Sequence, residues 1–218
     1  MSSKDLVALL TAKWILELHA GNKVGFLLAD ISGAFDRVKA ELLVQKLSSA
    51  GVQEDMLRFI ESYLEARCST VIVDGTASRN FDLEDTIFQG IVLGPKLWNV
   101  FFEDLSHAIP ASYEDEKFAD DLTCFKAFPA GTDNDEIHRD LRTCEAQVQE
   151  WGKTNQVIFD AGKAEFGVIH GTDGEGETVR LLGSLYDNAL RMDEQITKML
   201  LTARPKITAL LRSQRYYG

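Results

Sequence analysis

The sequence predicts an α+β fold, and three observations carry that reading. Apolar residues recur at helical spacing in several long segments, while others are short apolar runs of strand length. Helices and strands alternate without the regular βαβ rhythm of a doubly wound sheet. No internal repeat or low-complexity linker interrupts the 218 residues, which suit one large domain or a domain with an appendage and can bury a core.

In chain order, Leu6, Leu9, Leu10, Trp14, Ile15 and Leu18 predict a helix over 4–20, ended by Gly21-Asn22. Residues 24–31 are a short apolar run of strand length, closed by Asp30, Ser32 and Gly33. A helix through Leu42, Leu43 and Leu47 follows, with Gly51 as its stop. Met56, Phe59, Ile60, Tyr63 and Leu64 place another over 52–67. Residues 69–73 and 81–87 read as strands, with Asp74-Gly75 turning the chain in a loop longer than a tight hairpin. Gly94-Pro95 opens a helix through Leu97, Trp98, Val100, Phe101 and Leu105, since proline is tolerated in a first turn. Residues 117–119 and 122–128 read as two strands flanking Asp120-Asp121. A long amphipathic helix over 137–151 precedes short strands at 157–159, 166–169 and 179–182, with a surface loop at 171–176.

The formal charge is −11, and it is unevenly placed. Residues 195–218 hold five cations (Lys198, Arg204, Lys206, Arg212, Arg215) and no acid, so the preceding 194 residues carry −16. The acidic runs at 114–116, 133–150 and 173–177 read as solvated faces. The basic tail also holds Ile207, Leu210, Leu211, Tyr216 and Tyr217. That pattern fits either an amphipathic helix meeting a polyanion or a helix with a basic outer side. At face value an acidic chain argues against nucleic-acid binding. No apolar run reaches the roughly 20 residues of a membrane-spanning helix. The first residues lack the basic flank and cleavage site of a secretory signal. Cys68, Cys124 and Cys144 are far apart and odd in number, which argues against a disulfide framework or zinc site and for a reducing compartment. An intracellular protein is expected, nuclear or cytoplasmic, with no targeting signal.

Two features carry chemistry. Asp30 ends an apolar strand, and Asp120-Asp121 lie between two strands. Carboxylates converging on one point repel one another unless a cation joins them. Mg²⁺ binds through few carboxylates plus substrate phosphates. Two such ions roughly 4 Å apart can activate an attacking oxygen and stabilise a leaving phosphate oxygen. A paired aspartate alone is most often a turn former, so the surrounding residues decide.

Residues 28–38, Leu-Ala-Asp-Ile-Ser-Gly-Ala-Phe-Asp-Arg-Val, resemble the first catalytic motif of reverse transcriptases, particularly those of non-LTR (LINE-type) retrotransposons. Residues 88–99, Phe-Gln-Gly-Ile-Val-Leu-Gly-Pro-Lys-Leu-Trp-Asn, resemble their second motif. Phe118-Ala119-Asp120-Asp121 is similar to the aromatic-x-D-D catalytic turn, 90 residues after Asp30. Trp151 with 159–163 is similar to the lysine-bearing motif, and Arg180-Leu181-Leu182-Gly183 to the primer grip. The five blocks stand in the family's order over residues 4–186.

The resemblance implies a polymerase palm with a small antiparallel sheet backed by helices. It divides the chain into a residual fingers or connecting helix (1–22), the palm (23–190) and the start of a basic thumb-like helix (191–218). It implies two Mg²⁺ ions, with Mn²⁺ as an alternative, held by Asp30, Asp120, Asp121 and the carbonyl of Ile31. The backbone from Ile31 to Phe35, Gly33 and Ala34 included, would run beneath the incoming triphosphate, with Phe35 as the steric gate against a ribose 2′-hydroxyl. Gln89 would contact nucleotide or template, and Gly90 would let backbone approach a base pair. Lys163 would be the acid for the leaving pyrophosphate. Lys198, Arg204, Lys206 and Arg212 would hold nucleic-acid backbone by phosphate contacts. The implied partners are an RNA template, a DNA primer and dNTPs.

Measured against that pattern, these 218 residues are expected to hold only the end of a fingers region before the first motif and the beginning of a thumb after the palm. A palm with stubs is expected, and a second reading stands beside the polymerase. In it the chain is a co-opted, non-catalytic scaffold or binding subunit of a larger assembly. A palm-fold nucleotidyl cyclase is disfavoured, because no G-G-[DE]-[DE]-F-like signature occurs.

Overall fold

A computed structural model describes residues 2–65, 67–83, 87, 90–160, 162–171 and 178–217, with the side chains of residues 67 and 210–217 outside that description. The chain runs through helix α1 (Ser3–His19), strand β1 (Asn22–Asp30), a 3-10 turn (Ala34–Arg37) and helices α2 (Ala40–Ser49) and α3 (Glu54–Leu64). Four short strands follow: β2 (Arg67–Ser69), β3 (Ile72–Val73), β4 (Thr76–Ala77) and β5 (Phe81–Leu83). Helices α4 (Gly94–Glu103) and α5 (Leu105–Ala108) lead to β6 (Glu114–Phe118), β7 (Asp121–Pro129) and the long α6 (Asn134–Thr154). The remainder is β8 (Glu165–Ile169), β9 (Val179–Leu181), β10 (Ser184–Tyr186) and α7 (Asp193–Tyr217).

This is a mixed α+β fold with small antiparallel sheets packed against helices. The main sheet has the order β6-β7-β1-β8, and β1 pairs antiparallel with β8 from Val24↔Ile169 to Leu28↔Glu165. The other sheets are two-stranded: β9 with β10, β2 with β5 and β3 with β4. Six successive residues of β1, Val24–Ala29, are buried, as expected of a strand covered on both faces.

Residues Met1–Leu28, Phe125–Leu141 and Glu165–Gly218 form one compact unit. Its core centres on Trp14, stacked on Phe26 at 5.2 Å and edge-on to Phe125 and Tyr186. Glycine permits the close packing here: a Cβ on Gly25 would sit 2.6 Å from Ile137 of α6. Residues Ala29–Cys124 and Arg142–Ala164 form the other unit. Its core is an aromatic shelf on α4 (Trp98, Phe101, Phe102), met edge-on by Trp151. Lys46 crosses beneath this shelf, donating 2.8 Å bonds to the Phe101 carbonyl and to Asp104 while lying 4.2 Å from the Phe101 ring centre. Trp151 Nε1 donates to the same Asp104 oxygen at 2.9 Å, so one carboxylate ties α2, α4 and α6. Desolvation lowers the Lys46 pKa, against the opposing pull of Asp104.

The helices follow the apolar periodicity, but several strand readings change. Asp74-Gly75 makes a tight two-residue hairpin between β3 and β4, not a longer loop. Both residues have positive φ (48° and 79°), the requirement of a type I′ turn. The helix expected over 52–67 stops at Leu64, and Arg67 instead opens β2. Residues 157–159 supply one isolated bridge, Ile31↔Phe159, rather than a strand. The run expected at 179–182 is one arm of a hairpin turned by Leu182-Gly183, both at positive φ. The end of the strand expected over 81–87 and the loop expected at 171–176 fall largely outside the described residues. Cys68, Cys124 and Cys144 are all free thiols. Among the described residues, no helix is long and apolar enough to cross a membrane.

Candidate active site

Asp30 is the last residue of β1, directly after six buried ones, so its carboxylate is carried on an immobilised backbone. Residues 158–160 clamp the following segment. Asp160 N–H donates to the Asp30 carbonyl at 2.9 Å, and Ser32 N–H donates to the Ile158 carbonyl at 3.0 Å. The Ile31 side chain is buried in the core, which leaves only its backbone for any role at a site. Gly33 turns the chain at φ +64°, a left-handed conformation that favours glycine. Arg37 Nε then donates to the Ser32 carbonyl at 2.7 Å, closing the loop. Ala34 is buried; Phe35 is half-buried, its ring 5.9 Å from that of Trp98, and its carbonyl accepts a 2.9 Å bond from Ile87.

Asp120 and Asp121 come from the hairpin joining β6 and β7. The sequence pattern places both aspartates between the strands. The structure makes Ala119-Asp120 the two-residue loop and Asp121 the first residue of β7. Ala119 holds φ +55°, where a Cβ is disfavoured. Trp98 Nε1 donates to its carbonyl at 2.7 Å. Leu122 to Phe125 are buried, so this hairpin too stands on a fixed base.

The three carboxylates sense one another. Partial burial, then the charges of Asp120 and Asp30, push the Asp121 pKa up to about 6, and only Lys163 opposes the shift. Lys163 Nζ donates to Asp30 Oδ2 at 2.6 Å and lies 3.9 Å from Asp160 Oδ2. That hydrogen bond and the Asp30 charge hold its ammonium above the usual lysine value. The turn carrying Lys163 is shaped by Asp160, whose Oδ1 accepts from Gly162 N–H at 3.0 Å and whose carbonyl accepts from Lys163 N–H. Among the described residues, no group of three or more His, Cys, Asp or Glu forms a ready ligand shell for a metal ion.

The structure thus brings Asp30, Asp120, Asp121 and Lys163 into one electrostatic cluster, with Phe35 on the loop that follows Asp30. Gly90 lies at φ +86° with open space where a Cβ would project, so its backbone conformation is what asks for glycine. Gln89 falls outside the described residues. On α7, Lys198, Arg204 and Lys206 are exposed, and Lys198 reaches the Gly183 carbonyl at 3.4 Å. The Arg212 side chain falls outside the described residues. At about 100° per residue, Lys198, Arg204 and Lys206 do not share one stripe of the helix. Sequence reasoning missed Trp98 and Asp160 as supports of the site. Both lay inside the motif blocks, but the hydrogen bonds by which they hold the site run to backbone atoms that no residue pattern names.

Residues 4–186 match the reverse transcriptase (RNA-dependent DNA polymerase) family, and the chain belongs to it. Its relatives include the RNA-directed DNA polymerase from mobile element jockey of Drosophila funebris, 29% identical over 83% of this chain and 21% of that protein. The Drosophila melanogaster counterpart is 28% identical over the same shares, so the chain spans about a fifth of these relatives' length. It is therefore a reverse transcriptase domain related to the jockey-type enzymes of non-LTR retrotransposons. Among solved structures, apo telomerase from Candida tropicalis truncated from its C-terminal domain aligns with TM-score 0.63 at 13% identity, over 88% of this chain and 40% of that one. Telomerase from Candida albicans in complex with a TWJ fragment of telomeric RNA aligns at 0.61 and 12%, over 87% and 34%. At such identities the likeness is one of fold.

Proposed function

We propose that this domain catalyses RNA-directed DNA synthesis, transferring a nucleotidyl group from a dNTP to the 3′-hydroxyl of a DNA primer on an RNA template. The observation that carries this reading is that Asp120, Asp121 and, through Lys163, Asp30 gather at the ends of β1 and β7 in a chain of this family, where desolvation first and then the charges of Asp120 and Asp30 raise the Asp121 pKa. Carboxylates brought together against their own repulsion fit a site meant for cations.

Asp30, Asp120, Asp121 and the Ile31 carbonyl are the groups that would hold two Mg²⁺ ions, or Mn²⁺ in their place. Such ions, when bound, supply charge neutralisation at the triphosphate and activation of the primer oxygen. An all-oxygen donor set suits them, and Mg²⁺ completes its shell with waters and substrate phosphates. The chain's own work is positioning, which dominates phosphoryl transfer. Gly33 and Ala34 form the backbone floor beneath the triphosphate, Phe35 excludes a 2′-hydroxyl, Gln89 would contact nucleotide or template, and Gly90 would let backbone approach the base pair. Lys163 gives its proton to the pyrophosphate oxygen that leaves. Lys198, Arg204, Lys206 and Arg212 contact phosphates of template and primer.

Primer extension on an RNA template, wild type against Asp120→Asn, tests the reading. Extension by the wild type and its loss in the variant is the expected result; equal signals eliminate catalysis. One observation favours a scaffold or binding subunit instead: Lys163 already engages the Asp30 carboxylate at 2.6 Å. Template binding without extension, unchanged by Asp120→Asn, is the outcome that reading requires.

A further inference from the structure

We propose that Trp98 is a positioning residue that sets the catalytic hairpin and the sugar gate from one rigid ring. The inference rests on the polymerase reading above and adds to it a residue that contacts no reactant.

Trp98 is 1% exposed. Its indole is fixed within α4, where Phe101 and Phe102 lie 5.9 and 5.1 Å away at small interplanar angles. Two elements of the site meet this ring. Its Nε1–H donates to the Ala119 carbonyl at 2.7 Å, and its ring centre lies 5.9 Å from that of Phe35, the two planes tilted by 45°.

The Ala119 bond matters because of the turn it holds. A non-glycine residue at φ +55° crowds its Cβ against the backbone, and such a conformation persists only when its surroundings over-determine it. The adjacent residues are Asp120 and Asp121, whose carboxylates must occupy defined places for any joint ligand set. An indole donor suits this role because packing sets its position, it has one hydrogen to give, and it cannot titrate. Phe35, for its part, can exclude a sugar hydroxyl only if its ring cannot retreat, and the Trp98 ring closes part of that retreat. Hairpin and gate therefore take their positions from a common reference, through two separable interactions.

Trp98→Phe removes the N–H and keeps a ring behind Phe35. It is expected to weaken Mn²⁺ binding, read by titration calorimetry, about tenfold, the usual effect of losing a residue that orients metal ligands. Hydrogen exchange at the amides of 119–121 should accelerate, while discrimination between dNTP and rNTP stays at the wild-type level. Trp98→Leu removes both interactions and should lower that discrimination as well. A rescue separates positioning from mere core packing. Ala119→Gly accepts positive φ without strain, so adding it to Trp98→Phe should restore Mn²⁺ affinity and slow exchange again.

Wild-type exchange at 119–121 in Trp98→Phe overturns the inference. So does a loss of affinity, or of folding, that Ala119→Gly fails to repair, because the residue would then serve the core alone. If the wild type itself takes up no Mn²⁺ the polymerase reading falls, and exchange at 119–121 with its rescue still decides whether Trp98 holds the turn.

Discussion

The carboxylate cluster and helix α7 are both strongly charged, and they are built in opposite ways. Asp30 and Asp121 stand at strand ends whose neighbouring residues are buried, and a sequestered indole holds the turn before Asp121. On α7, every residue from 196 to 202 is exposed, and the exposed Met199, Leu200 and Leu201 lie between Lys198 and Arg204. Charges on fixed backbone can place an atom to a fraction of an ångström and can be forced close to one another. Charges on long, solvated side chains supply a field that salt screens within about 8–10 Å. The first arrangement suits chemistry and the second suits holding a polyanion. The same contrast lets a chain of net charge −11 carry a locally basic helix. The acid excess includes the centre of the site, while residues 195–218 hold five cations and no acid.

If the contrast is right, single substitutions in the cluster act steeply and those in the helix act by degrees. The largest effect is expected from Asp120→Asn, which should lower primer extension at least about a hundredfold. An equal loss on neutralising any one α7 cation would erase the distinction. Next, Phe35→Ala should raise ribonucleotide incorporation relative to dNTP about tenfold, the scale for opening a close-fitting pocket. Competition assays with paired dNTP and rNTP give this ratio directly.

A smaller effect concerns pH. In the absence of divalent ions, folding holds the Asp121 proton more tightly than the unfolded chain does, about 6 against 3.8. Asp121 therefore favours the folded state most below its unfolded value, and that contribution is lost as pH rises from 3.8 to about 6. Denaturation midpoints across this window should decline less steeply in Asp121→Asn than in the wild type. Identical slopes would mean that the cluster is not electrically coupled.

The mildest expected change is in the helix. Replacing Lys198 and Arg204 with glutamine should weaken duplex binding evenly across sequences. The slope of log affinity against log salt should flatten by about one for each phosphate no longer neutralised. An unchanged slope would place the cations that meet phosphate elsewhere.

Much of the site was legible in the sequence because its chemistry-bearing residues are contiguous within short blocks. Asp30 announces itself as the acid closing a buried run, and Asp120-Asp121 as a pair at a turn, although Asp121 opens β7 and does not lie in the loop. The helices were equally legible, since Leu6, Leu10 and Trp14 or Leu43 and Leu47 repeat with the helical period. The β3–β4 hairpin was misjudged although Asp74-Gly75 stood in plain view, because two-residue strands carry too little alternation to define their ends. The hairpin of β9 and β10 was half seen for the same reason. The bond from Trp98 to Ala119 was not legible at all. A tryptophan in an apolar helix and an alanine in a turn carry no sign of each other.

Local order along the chain was enough for the family, the order of its motifs, the helical segments and the residue types available for chemistry. Those depend on periodicity and side-chain identity, both of which act over a few neighbouring positions. The rest came from three-dimensional packing: Lys163 meets Asp30 across 133 residues, Asp30 raises the pKa of Asp121, and Trp98 supports both the turn and the gate. Such long-range pairings exist only once strand pairing and core packing have brought distant backbone together, and no local preference encodes which atoms will then lie within hydrogen-bonding distance.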